Sequence, residues 1–121
     1  NRRSIPIYEH YYSQGTVEDN DYRIVRVPNA GYTVRAIAFY GYPVNAGGTC
    51  SVGVPVYRYN YIGNPATVDH YLSTNLATYK YGGGAASYVV SGNQPGRAEF
   101  CAWTVPNVAE PHRVPVYEFR K

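Results

Sequence analysis

Hydrophobic and polar positions alternate most cleanly in Val54-Pro55-Val56-Tyr57-Arg58-Tyr59. A period of two puts Val54 and Val56 on one face of a strand and Pro55, Tyr57 and Tyr59 on the other. The pattern occurs earlier as Ile5-Pro6-Ile7-Tyr8-Glu9-His10 and again as Val114-Pro115-Val116-Tyr117-Glu118-Phe119. Proline cannot donate to a ladder, so each word is expected to begin a strand or lie on an edge. The residue after the tyrosine is charged in every copy (Glu9, Arg58, Glu118) and reads as the point where the strand leaves the core. An exposed ion pair from Arg58 to one of those glutamates would contribute little.

Three copies of one word in a short chain predict an internal repeat. The units run over 5–53 and 54–113, and 114–121 supplies a closing strand. Asp21-Tyr22 follows Tyr8 as Asp69-His70-Tyr71 follows Tyr57, and the Arg35–Tyr40 stretch aligns with 97–103. Further strands are predicted at 21–27, 33–40, 69–73, 78–81, 87–90 and 98–105. Turns are expected at the Gly-, Pro- and Asn-rich stretches between them. The leucines Leu72 and Leu76 leave room for one helical turn within 67–77. The reading is an all-β single domain over 1–121: a closed or nearly closed barrel or sandwich, with first and last strands paired about a pseudo-twofold axis.

Composition strengthens the class. Among 121 residues there are 15 Val and 15 Tyr but only two Leu, with 12 Gly and 9 Pro as punctuation. Val and Tyr suit a half-buried pleated surface better than a helix. The charge of +3 comes from 11 basic and 8 acidic residues, clustered only at Arg2-Arg3 and Arg120-Lys121. Nucleic-acid binders concentrate basic residues on one face, so nucleic acid is not an expected partner. No apolar run approaches the roughly 20 residues of a membrane span, so membrane insertion is not expected. The chain starts at Asn1 and has no Met, which reads as a processed mature protein or an excised fragment, and it carries no Asn-x-Ser/Thr sequon, so N-glycosylation is not expected. Cys50 and Cys101 fit one disulfide in an oxidising compartment, with two buried thiols as the alternative. The bridge would close a loop of about 52 residues, worth roughly 4 kcal/mol in the chain-entropy account.

Val-Pro-Val-Tyr-Arg-Tyr, then Asp-His-Tyr-Leu-Ser-Thr, and Gly-Tyr-x-x-x-Ala-Ile-Ala-Phe-Tyr resemble a secreted repeat of unknown function of the form VPVYR-[FY]…DHFYT…GYxxEGxAFY. The resemblance covers 5–42, 54–74 and 98–119. It implies an extracellular accessory or binding module of the kind often appended to secreted hydrolases. Asp21-Tyr22 departs from it by lacking the histidine, and Arg35 stands where an acidic residue is usual.

Candidate chemistry is sparse. His10, His70 and His112 have no i, i+2 histidine partner and there is no Cys-x-x-Cys, so neither metal nor cofactor is expected. Asp69 and His70 fall on opposite faces of a strand. Glu18, Asp19 and Asp21 read as a solvated acidic turn, and Gly82-Gly83-Gly84 as a hairpin tip rather than a phosphate loop. No nucleophile sits in a recognisable setting, so an enzyme is not expected.

The aromatic excess is what remains: Tyr8, Tyr11, Tyr12, Tyr57, Tyr59, Tyr61, Tyr79, Tyr81 and Trp103. Such rings either plug the core and pair across strands or form a platform on which a pyranose face stacks. The platform reading gives a secreted lectin-like carbohydrate-binding module with Tyr59, Tyr61, Asn64, Asp69, His70 and Tyr71 as one site. Tyr11, Tyr12, Asp21 and Tyr22 form its counterpart in the first unit, so the molecule would be bivalent. The alternative is an extracellular protein-interaction or matrix component, self-associating into a homo-oligomer. A third reading is a defensive toxin or inhibitor using 82–96. The expected partners are therefore glycans or an extracellular protein.

Overall fold

The computed structural model describes residues 3–64, 67–74, 88–90 and 98–103. The expected closing strand at 114–121, the strand at 78–81, the Gly82–Gly84 tip, His112, Tyr79 and Tyr81 lie outside the described residues.

The described chain is all strand and connection, with β1 (Ile5–Gln14), β2 (Val17–Arg23), β3 (Tyr32–Gly41), β4 (Val54–Tyr61), β5 (His70–Ser73), β6 (Tyr88–Val90) and β7 (Phe100–Ala102). All strand pairings are antiparallel. In the first sheet β1 is central, flanked by β2 and β3. In the second, β4 is central and pairs with β5, β6 and β7. Each central strand opens with the β-branched, proline word, as the pattern required. Among the described residues of 67–77 there is no helical turn: 70–73 is strand, 67–69 has no helical character, and 75–77 lie outside the described residues.

The largest correction concerns β2. The expected acidic turn is the second arm of a tight hairpin, in which Gln14 pairs with Val17 across Gly15-Thr16. Gly15 sits at φ +60°, the left-handed backbone that a two-residue hairpin turn requires. The strand that follows is patterned inside out, with Asp19, Asp21 and Arg23 buried while Glu18 and Asn20 are exposed. A strand with its charges inward cannot be recognised from apolar alternation.

The two sheets share a register. Tyr8 pairs with Arg23 and Tyr57 with Ser73. Ile7 pairs with Phe39, and Val56 with Phe100. Tyr12 pairs with Tyr32, and Tyr61 with Tyr88. Asp19 and Asn20 therefore occupy the places of Asp69 and His70, two residues from the alignment expected on sequence. Phe100, not Cys101, stands opposite in the place of Phe39. What is one continuous strand in the first sheet, β3, is two short strands in the second, β6 and β7.

Among the described residues no closed barrel is found. The sheets join at a bridge between Tyr42 and Cys101, with N–H···O distances of 2.9 and 2.8 Å. Nearby, Cys50 and Cys101 form the disulfide, which ties the β3–β4 connection to β7. The apolar core is Ile7, Val56 and Phe100, with Ile5, Tyr22, Ile24, Phe39, Leu72 and Ala102 packed against it. Phe39 meets Phe100 edge-on with centroids 5.6 Å apart. Gly53, at φ +71°, lets the chain enter β4, since a Cβ there would lie 2.2 Å from the Ala102 carbonyl oxygen. On the opposite flank β2 packs against β5, and there side chains make the join.

Candidate functional site

That join is a polar seam. Arg58 was expected to mark the exit of its strand from the core. Instead it is 4% exposed and grips the buried Asp21 with two hydrogen bonds, Nε to Oδ1 and Nη2 to Oδ2, each 2.6 Å. A two-pronged guanidinium–carboxylate contact is the strongest form of this pair, and its partner is Asp21 rather than a glutamate. His70 closes the seam from β5. Its backbone N–H donates to Asp19 Oδ1 at 3.0 Å, and its Nδ1 donates to Asp19 Oδ2 at 2.6 Å. Its Nε2 lies 3.6 Å from Asp21 Oδ2. From β3, the Tyr32 hydroxyl donates to Asp19 Oδ2 at 2.6 Å. Glu99, buried beside them, accepts from the Ile24 N–H at 3.0 Å.

The electrostatics follow from this geometry. Burial works to raise the Asp19 pKa, but the hydrogen bonds from His70 and Tyr32 outweigh it and hold the carboxyl below its ordinary value. Burial and the adjacent Asp19 push the Tyr32 phenol well above the usual range. Burial opposes the charge on Arg58, yet Asp21 wins and its pKa rises. Burial also raises Tyr22, with Glu9 and Asp19 adding to it.

Glu18, exposed on β2, precedes Asp19, and Asp69, in the β4–β5 connection, precedes His70; both line one open groove of about 300 Å³. The β1–β2 turn and the start of β2 form one bank (Thr16, Val17, Glu18). The β4–β5 connection forms the other (Tyr61, Thr67, Val68, Asp69). Glu18 Oε1 accepts from the Tyr11 hydroxyl at 3.1 Å, and the Tyr61 N–H donates to the Asp69 carbonyl at 2.9 Å. The Tyr61 ring lies against Gly63: a Cβ there would be 2.5 Å from its hydroxyl.

Of the expected ligand residues, the structure brings Tyr61 and Asp69 to this groove. Asn64 is exposed in the same connection, and its carbonyl accepts from the Thr67 N–H at 3.2 Å. His70 turns into the seam, while Asp69 lines the groove. Tyr59 is buried at 1% exposure and stacks on Tyr71 with centroids 4.8 Å apart and planes 5° from parallel, so it is packing rather than platform.

The counterpart residues of the first unit are engaged in contacts of their own. Asp21 is committed to Arg58, Tyr22 packs on Phe39, and Tyr12 leans on Tyr32. Tyr11 carries the Arg35 guanidinium over its ring at 4.5 Å. Thr16, Val17, Glu18, Thr67 and Val68 were missed because their nearness depends on two sheets meeting. Glu18 alone had a signal, as part of the acidic run.

Among the described residues no three His, Cys, Asp or Glu side chains are arranged to hold a metal ion, and no helix is long and apolar enough to cross a membrane. No family model, curated protein or solved structure matches the chain. Among the described residues, fold and site define an all-β, disulfide-bonded domain with a polar groove where its sheets meet.

Proposed function

We propose that the protein is a secreted carbohydrate-binding module of two degenerate repeats, with its ligand surface in the groove between the β1–β2 turn and the β4–β5 connection. The observation that carries this reading is the groove's make-up: one tyrosine, Tyr61, beside two carboxylates, Glu18 and Asp69, and two hydroxyls, Thr16 and Thr67. A pyranose has an apolar face that stacks on a ring and a rim of hydroxyls that donate to carboxylates. The shared register of the two sheets supports the duplication. The disulfide is compatible with an extracellular site of action. One groove at the seam, with banks from both units, replaces one site per unit.

The test is a glycan array with the oxidised protein beside Tyr61→Ala. Binding that the substitution removes while the melting temperature holds supports the reading, and a blank array overturns it.

A second reading, contact with an extracellular protein or a further copy of the chain, draws on a different surface. Val27 is 76% and Tyr40 61% exposed, and Ala36, Ile37 and Ala38 are exposed in a row on β3. Concentration-dependent sedimentation abolished by Ile37→Lys would favour it.

A further inference from the structure

We propose that the Tyr12–Tyr32 pair is a site of oxidative cross-linking, at which a one-electron oxidant derived from hydrogen peroxide joins the two rings as dityrosine and Asp19 takes the Tyr32 hydroxyl proton. The register sets Asp19, Tyr12 and Tyr32 side by side across β2, β1 and β3. Residues paired in this way project from the same face of a sheet. The Tyr32 hydroxyl reaches across the row and donates to Asp19 Oδ2 at 2.6 Å. Its ring meets that of Tyr12, with centroids 5.2 Å apart and planes at 44°.

A phenol that gives up an electron must also give up its proton, because the radical cation is a strong acid. A base already within hydrogen-bond reach takes that proton, and a short bond to a carboxylate is of this kind. Hydrogen bonds from His70 and Tyr32 hold Asp19 as the carboxylate. Its charge resists loss of the Tyr32 proton alone while favouring loss of an electron. Tyr11 also donates to a carboxylate, Glu18, but at 3.1 Å, and the Arg35 guanidinium 4.5 Å from its ring centroid opposes electron loss.

Each ring loses one electron and its hydroxyl proton. The two radicals form one carbon–carbon bond between positions ortho to the hydroxyls, and the hydrogens there move to the oxygens to restore both phenols. Hydrogen peroxide accepts the two electrons and two protons and leaves as two waters. Rings held in contact couple in an intramolecular step, which outruns encounter between two copies.

Gly31 makes room for this contact. A Cβ there would lie 2.9 Å from Cε2 of Tyr12, one of the two carbons ortho to its hydroxyl, and the backbone sits at φ +85°. Gly31 is a positioning residue for the Tyr12 ring.

The experiment treats the full-length, disulfide-bonded protein with a haem peroxidase and hydrogen peroxide and maps the product by mass spectrometry. Tryptic cleavage after Arg3, Arg23, Arg26 and Arg35 leaves Tyr12 in 4–23 and Tyr32 as the one tyrosine of 27–35. The expected product joins those peptides at Tyr12 and Tyr32 with the loss of two hydrogens, in the monomer, at a yield that dilution leaves unchanged. Tyr12→Phe and Tyr32→Phe should each abolish it, and Tyr11→Phe should leave it in place. Asp19→Asn should slow it about tenfold or more in the folded fraction. Gly31→Ala, which keeps the carboxylate, should lower the yield.

A link from 27–35 to Tyr8, Tyr11 or Tyr22, or one that forms only between copies, overturns the proposal, as does the absence of any linked product. An unchanged rate in Asp19→Asn overturns the role of Asp19 as proton acceptor.

Discussion

The interior has two unlike halves. One is apolar: Ile7 and Val56, in the same place of the repeated word, meet Phe100 with Phe39 packed alongside. The other is the seam of Asp19, Asp21, His70, Arg58 and Tyr32, where every partner is named by a hydrogen bond. The apolar half adapts to volume, and hydrophobic residues of about the right size suffice to fill it. The seam instead specifies orientation, since a guanidinium and an imidazole satisfy their carboxylates in few geometries. A molecule built this way has its stability in one half and its exact sheet alignment in the other, and the groove lies on the aligned side.

Arg58→Ala should be among the most damaging single changes to this arrangement. It leaves the Asp21 carboxylate buried without its partner, at a cost of about 3–5 kcal/mol, read as a fall in the urea midpoint. If Arg58→Met/Asp21→Leu recovers most of that loss, the pair governs alignment more than stability. Phe100→Ala in the apolar half should cost a similar 3–5 kcal/mol through the cavity it leaves. Unlike the seam substitution, it should leave the ligand preference of the groove intact in the folded fraction.

Acid separates the halves further. The Asp19 pKa is lower in the folded chain than its ordinary value of 3.8. Its contribution is thus fully present above that value and lost as pH falls through the lower folded one. Urea midpoints measured from pH 5 down to pH 2 should fall more steeply for the parent than for Asp19→Asn. A parallel fall would break the assignment.

Gly53→Ala, at a junction both halves share, should cost more than about 1 kcal/mol because it combines positive φ with a backbone clash. Smallest of all is Glu18→Gln, expected to leave thermal stability within about 0.5 kcal/mol while altering ligand binding.

Much of the fold was legible in the chain. The β-branched words lie at the start of β1 and β4, the 33–40 expectation matches β3 to within a residue at each end, and two cysteines became one bridge. The site was less legible. Tyr59 looked like a platform by alternation, yet the stack with Tyr71 covers what would have been its solvent face. Glu18 looked like turn solvent, yet it forms one bank of the groove.

The sequence by itself determined the strand class, the face on which Val54 and Val56 lie, and the cysteine pair, because these follow from local backbone sterics, side-chain period and residue count. Tertiary structure alone decided that Asp21 meets Arg58 across 37 residues, that Asp19 meets His70 across 51, and that Glu18 and Asp69 line one groove. Charged side chains carry no periodic mark of their partners. Coulombic and hydrogen-bond energies depend on distances that exist only once the sheets have packed.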